Sequence, residues 1–132
     1  MAIIYAVGVK INPRDLLAPR KWYGSAVHTE TIKFKQLARE VAAESTTASE
    51  GDTYAVMIGM VDKVRYHLGK SHKVVIEGLG TFFVNISSDG AESEDKFNQS
   101  LIRGNKIIFQ PDADMKDFLA TIKYEKKAKA KS

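Results

Sequence analysis

The run from Thr47 to Leu68 constrains this chain more than any other stretch. Tyr54, Met57, Ile58, Val61 and Leu68 follow the three-to-four-residue spacing of one helical face, and Val56, Met60 and Val64 widen it. A narrow stripe is covered by one neighbouring element. A stripe this wide on a chain of 132 residues implies burial against more than its own chain, since large apolar patches left open are sites of association. Thr47-Ala-Ser-Glu50 fits a capping box at the start of this helix, with Thr47 accepting from the third helical amide and Glu50 reaching back. Gly69 is placed to stop the helix in a left-handed conformation.

The period elsewhere separates strands from helices. Residues 2–11 alternate, with Ile3, Tyr5, Val7, Val9 and Ile11 on one side, which reads as a strand. Asn12-Pro13-Arg14-Asp15 is a turn signal, and Trp22 to Val27 predicts a second short strand paired with the first. From Ile32 the period lengthens: Phe34, Leu37, Ala38, Val41 and Ala42 form one helical face, broken at Ser45-Thr46-Thr47. Val74 to Ile86 is β-branched and aromatic and reads as a strand interrupted by Gly78 and Gly80. Ser87 to Ser100 is polar and reads as a flexible loop or extended hairpin, after which Leu101 to Phe109 returns antiparallel. Pro111, with Asp112 or Asp114, opens a last helix carrying Met115, Phe118, Leu119 and Ile122 on one face. The ending from Lys123 to Lys131 reads as a basic tail. Helices and strands are segregated along the chain, so the class is α+β.

Charge narrows the function classes. The net charge is +4, but its distribution is uneven. Lys and Arg outnumber Asp and Glu by 6 to 2 over residues 1–35 and by 8 to 4 over residues 101–132. Acids lead by 5 to 4 over residues 36–70 and by 5 to 2 over residues 71–100. Both ends are basic around an acidic middle. The absence of cysteine excludes disulfides and thiolate metal sites. No apolar run approaches the ~20 residues of a membrane helix, and Ala2 to Val9 lacks a basic leader. The expectation is a soluble, cytoplasmic protein with no membrane partner.

Gly78-Leu-Gly-Thr-Phe82, following a Thr47-capped helix, resembles the Gly-Phe-Gly-Thr-Phe strand of the HU/integration host factor family of bacterial histone-like proteins. Phe109-Gln-Pro-Asp-Ala-Asp-Met-Lys-Asp117 is similar to the family's passage from last strand to last helix. The resemblance covers residues 32–124, and the first ~30 residues are similar to the start of extended HU-related proteins of Bacteroidetes-type bacteria. It implies a fold with a helical base, an antiparallel sheet forming a saddle, and an arm, assembled as an intertwined homodimer. It also implies binding of duplex DNA through phosphate neutralisation and bending, with little sequence preference, at the bacterial nucleoid. The resulting organisation is a strand-rich extension (1–31), an HU-like domain (32–124) and a basic tail (125–132). DNA-contact candidates are Lys33, Lys35, Gly78, Gly80, Arg103, Lys106 and Lys116. Dimer-interface candidates are Tyr54, Met57, Ile58, Val61, Phe82 and Phe109.

The chain departs from that family where DNA is usually gripped. Ser87 to Ser100 holds no proline and no arginine, and four acids against one lysine. Asp112 and Ala113 stand where a Gly-Lys-like phosphate contact is usual. Arg14, Arg20, Lys21 and the lysine tail are possible substitutes. Gly78 and Gly80 serve either a close phosphate approach or a strand bend needed for packing. Phe82, Phe83 and Phe109 read as core rather than base-stacking groups, Trp22-Tyr23 as an anchor of the extension to the body, and the extension as an edge strand capping the sheet. His28, His67 and His72 lack the spacing of a metal site. No nucleophile, acid–base or dinucleotide motif is present, so the expectation is no enzyme, no cofactor, no metal and no small-molecule substrate.

Overall fold

The computed structural model describes residues 1–10 and 13–128. Ile11 and Asn12 of the expected strand and turn lie outside them, as do Lys129 and Lys131 of the basic ending. The elements run β1 (Ala2–Lys10), β2 (Lys21–Ala26), α1 (Phe34–Glu44), α2 (Glu50–Leu68), β3 (Val74–Ile76), β4 (Gly80–Ser88), β5 (Ile102–Pro111), α3 (Ala113–Ala120) and β6 (Lys123–Lys126). This is the α+β, HU-like arrangement that the sequence indicates. The chain divides into two units, Met1–Ile32 with Phe118–Ser132, and Lys33–Asp117, a different partition from the 32–124 domain read from sequence.

In the first unit β1 pairs antiparallel with β2, from Tyr5 opposite Ala26 to Lys10 opposite Lys21. Its other edge pairs in parallel with β6, Ala2 opposite Lys123 and Tyr5 opposite Lys126. Two corrections follow. The stretch Lys123–Lys126 is a strand rather than a frayed tail, because it satisfies backbone groups that β1 would otherwise leave open, and the Lys127 amide continues the ladder to the Tyr5 carbonyl at 2.8 Å. The extension also forms its own sheet, ordered β2-β1-β6, separate from β3-β4-β5. It does not cap the edge of the main sheet. Trp22 is 69% exposed.

In the second unit α1 and α2 meet where their small and aromatic side chains fit. Ala38 is fully buried, and the Phe34 and Tyr54 rings meet edge-on with centroids 5.9 Å apart. The cap of α2 differs from the expected box: Ser49, not Thr47, accepts from the Asp52 amide at 3.1 Å. Thr46 accepts from the Ala48 amide at 3.1 Å and so shapes the turn before it. Glu50 turns away to Arg39, 3.4 Å distant. At the far end Gly69 keeps right-handed torsions (φ −67°) and donates to the Arg65 carbonyl. The helix therefore ends at Gly69 as expected, but the left-handed conformation falls on Ser71 (φ 61°), two residues later.

The interrupted strand resolves into a hairpin. β3 and β4 pair antiparallel, Ile76 opposite Gly80 and Val74 opposite Phe82, around the turn 77–79. β4 then pairs with β5 from Gly80 opposite Pro111 to Ser88 opposite Ile102, with a bulge between Ser87 and Ser88. Phe82 packs on Phe109 with ring centroids 4.8 Å apart. The core is nevertheless thin. Among the described residues only Ala38, Thr53 and Gly80 are buried, and no large side chain is.

Candidate nucleic-acid interface

Cross-strand partners share a sheet face, so the β4–β5 register sorts the second sheet into two unlike surfaces. One face carries Phe82, Val84 and Ile86 with Phe109 and Ile107 opposite or beside them. The other carries Thr81, Phe83, Asn85 and Ser87 with Gln110, Ile108, Lys106 and Gly104. Lys106 stands opposite Asn85 on this more polar face. Lys73 joins it, its Nζ lying 4.8 Å from the centre of the Phe83 ring. Lys73 was not among the sequence candidates, although counting back from Phe83 through the hairpin would have placed it there. Lys73 and Lys106 are the cationic pair this face offers a polyanion.

The remaining candidates are scattered or engaged. Lys33 holds the position before α1 without a capping side chain, and Lys35 lies in its first turn; both are exposed. Arg103 sits next to the bulge and is held by Asp89, Nε to Oδ1 at 2.7 Å. Lys116 is exposed on α3 between Asp114 and Asp117.

The two glycines of the motif are explained within the unit. A Cβ on Gly80 would lie 2.1 Å from the Gln110 carbonyl oxygen, so only glycine lets β4 and β5 close at this point. Gly78 has φ 85° and open space around its Cα, so its requirement is conformational. Its amide donates to Asp112 Oδ2 at 2.9 Å, while Asp112 Oδ1 accepts from the Met115 amide at 2.8 Å. One carboxylate therefore ties the 77–79 turn to the first turn of α3. A phosphate approaching Gly78 would find its amide already engaged by an acid.

The segment between β4 and β5 is a folded loop rather than an extended arm. The Asp89 amide donates to the Leu101 carbonyl at 2.8 Å, closing it. Two short 3-10 turns, Glu94–Lys96 and Gln99–Leu101, fill it. Its one lysine, Lys96, pairs with Glu92 at 2.8 Å, and Glu94 and Asp95 remain exposed. His67 and His72 face each other, Nδ1 to Nδ1, at 3.0 Å. Among the described residues no group of three or more His, Cys, Asp and Glu is placed to hold a metal ion. Nor is any helix among them long and apolar enough to cross a membrane.

The interface candidates Tyr54, Met57 and Val61 are half-buried along α2, and Ile58 is exposed on its flank. Phe82 is half-buried and Phe109 is 43% exposed. The chain alone therefore leaves these side chains incompletely covered.

Comparison with known proteins places this geometry. The fold is similar to a putative bacterial DNA binding protein from Bacteroides vulgatus, with a TM-score of 0.67 at 9% identity, covering 95% of this chain and 48% of that one. The chain thus spans about half the length of that protein. It is also similar to HU of an Anabaena HU–DNA cocrystal, with a TM-score of 0.54 at 14% identity, covering 68% of this chain and 99% of that one. At these identities the likeness is one of fold. No curated protein matches the chain. The model of the HU-HIG family, described as an HU domain fused to wHTH, Ig, or glycine-rich motif, matches residues 1–126, and the chain belongs to that family.

Proposed function

We propose that this chain is a non-enzymatic architectural protein that binds duplex DNA as a homodimer, with little sequence preference, at the bacterial nucleoid. The observation that carries the DNA reading is the family match together with a fold of which 68% aligns with an HU protein crystallised on DNA, covering 99% of that protein. Phosphate neutralisation would supply the affinity and DNA deformability the selectivity.

The homodimer is supported by burial. The chain exposes 11593 Å², whereas a compact chain of 14.7 kDa exposes about 6,900 Å². Two separately compact units of these lengths would expose only about 8,300 Å² together, so the excess does not depend on how the units are arranged. Val56 is 74% exposed in the middle of α2, and Ile107 is 65% exposed on the apolar sheet face. A second copy, with the same apolar surfaces, is the simplest cover.

Electrophoretic shift titrations across a range of salt, with light scattering on the same samples, test the proposal. The expected result is a dimer whose DNA affinity falls steeply with salt and varies little among mixed-sequence duplexes. An intact dimer that binds no duplex even at low salt would overturn it.

The acidic loop favours a second reading, an HU-shaped interaction protein without a DNA grip. Reversing Glu92, Glu94 and Asp95 to Lys separates the two. Under the second reading only the reversed variant binds DNA; under the first the parent binds and the variant binds more tightly.

A further inference from the structure

The charge of this chain is divided between its two units. The Lys33–Asp117 unit holds eleven Lys and Arg against thirteen Asp and Glu. The unit built from both chain ends holds nine Lys and Arg against three acids. The HU-like unit is therefore net acidic, and all the excess positive charge belongs to the other. Pairing sharpens the contrast. Each ion pair described, Arg39–Glu50, Lys96–Glu92 and Arg103–Asp89, lies in the HU-like unit. Among the described residues Lys10, Arg20, Lys21 and Lys123 form no ion pair with any acid.

We infer that the β2-β1-β6 sheet is the principal phosphate-contacting surface for duplex DNA, an inference that rests on the DNA-binding reading above. Register places Lys10, Lys21 and Lys123 on one face, and Lys126, opposite Tyr5, on the other. Lys10 and Lys21 are direct cross-strand partners at the hairpin end, both exposed. Tyr23 shares their face, with the Lys10 Nζ 5.5 Å from its ring centre. Lys123, opposite Ala2, points to the same side at the other end of β1. Like charges placed directly opposite oppose strand pairing, so the Lys10–Lys21 pair weakens its own hairpin until an anion lies between them. Glu125, opposite Ile4, is the acid on this face. Between the two cationic ends lie Ile4, Ala6, Gly8, Tyr23 and Ser25, of which Ala6, Gly8 and Ser25 raise no bulky side chain against an approaching backbone. From Lys10 to the Ala2–Lys123 pair the strand spans about 26 Å, the length of roughly eight base steps of duplex.

The probe is a 30-base-pair duplex of mixed sequence, titrated against the full chain between low and physiological salt. K10Q/K21Q is expected to make the log–log salt dependence shallower by about 1.8 per protomer, which is the release associated with two phosphate contacts. It is also expected to cost more affinity than K73Q/K106Q on the HU-like sheet. K10R/K21R retains the charge and is expected to bind as the parent does, separating charge from folding; circular dichroism and light scattering report on the fold directly. If K10Q/K21Q titrates like the parent, the sheet is not the contact surface, and the DNA-binding reading stands without it. If the parent binds no duplex but binds anionic vesicles, both readings fall. Should K10Q/K21Q not fold, K123Q tests the other end of the same face, with a slope change of about 0.9 expected and no change refuting.

Discussion

Substituting Asp112 by alanine removes two backbone contacts with one side chain. Its Oδ1 accepts from the Met115 amide at 2.8 Å and its Oδ2 from the Gly78 amide at 2.9 Å. Loss of an N-cap costs about 1 kcal/mol, and loss of the turn amide's partner costs about another 1 kcal/mol on a partly exposed site. The expected destabilisation is therefore about 2 kcal/mol, an upper figure because both bonds depend on the same rotamer. Asparagine caps helices as well as aspartate does, but its single oxygen serves only one of the two amides. The order of stability is expected to be parent, then D112N, then D112A, with steps of about 1 kcal/mol. Urea denaturation at fixed protein concentration measures this, provided the transition slopes agree. Amide exchange localises it, with Gly78 and Met115 losing protection first. If D112A lies within about 0.5 kcal/mol of the parent, or D112N is as damaging as D112A, the carboxylate does not tie the turn to α3.

Other substitutions test separate parts of the structure. Gly80→Ala would place its Cβ 2.1 Å from the Gln110 carbonyl oxygen, and backbone shifts of that kind cost roughly 1–3 kcal/mol; a denaturation midpoint matching the parent would contradict the close approach. Thr53 is buried and its Oγ1 has no hydrogen-bond partner among the described residues, so Thr53→Val is expected to raise stability by about 1 kcal/mol. Destabilisation instead would mean that the hydroxyl finds a partner in the assembled protein. Ile58→Asp puts a carboxylate on the flank of the α2 stripe, and light scattering is expected to show dissociation at micromolar concentrations, where an unchanged dimer would exclude that flank from the interface.

Much of the architecture is legible in the period of the apolar residues. Phe34, Leu37, Ala38 and Val41 locate α1, and the alternation from Ile3 to Val9 locates β1. The errors fall where several nearby residues compete for one backbone role. Thr46, Thr47 and Ser49 are all able to start α2, and Ser49 does so because Thr46 is occupied with the Ala48 amide. Gly69 has the freedom to end the helix, yet Ser71 takes the left-handed conformation. β6 was hidden for a different reason: four residues reading Lys-Tyr-Glu-Lys carry no apolar period, and only the distant β1 edge makes them a strand. The candidate site was less legible still. Arg103 and Lys106 read alike in sequence, but one is held by Asp89 while the other is not.

Packing and phosphate contact make different demands, and here different residues meet them. Gly80 is required by the backbone opposite it, and Gly78 by its turn and its bond to Asp112, whatever the protein binds. The motif that identifies the fold therefore says little about where an anion would sit. Long-range attraction to DNA depends instead on net local charge, screened over about 10 Å at 0.1 M salt. Over that distance the β4–β5 loop presents Asp89, Glu92, Glu94 and Asp95 against Lys96 and Arg103, each of the two cations already paired with one of these acids. A family-type grip by this loop would first have to release those pairs and then overcome the remaining acids. Lys10 and Lys21 face no such competition and lose mutual repulsion when a phosphate arrives. On electrostatic grounds the same fold is thus better suited to hold DNA at its added sheet than at its loop, and the comparison of K10Q/K21Q with K73Q/K106Q decides between the added sheet and the HU-like sheet, which the resemblance alone would rank the other way.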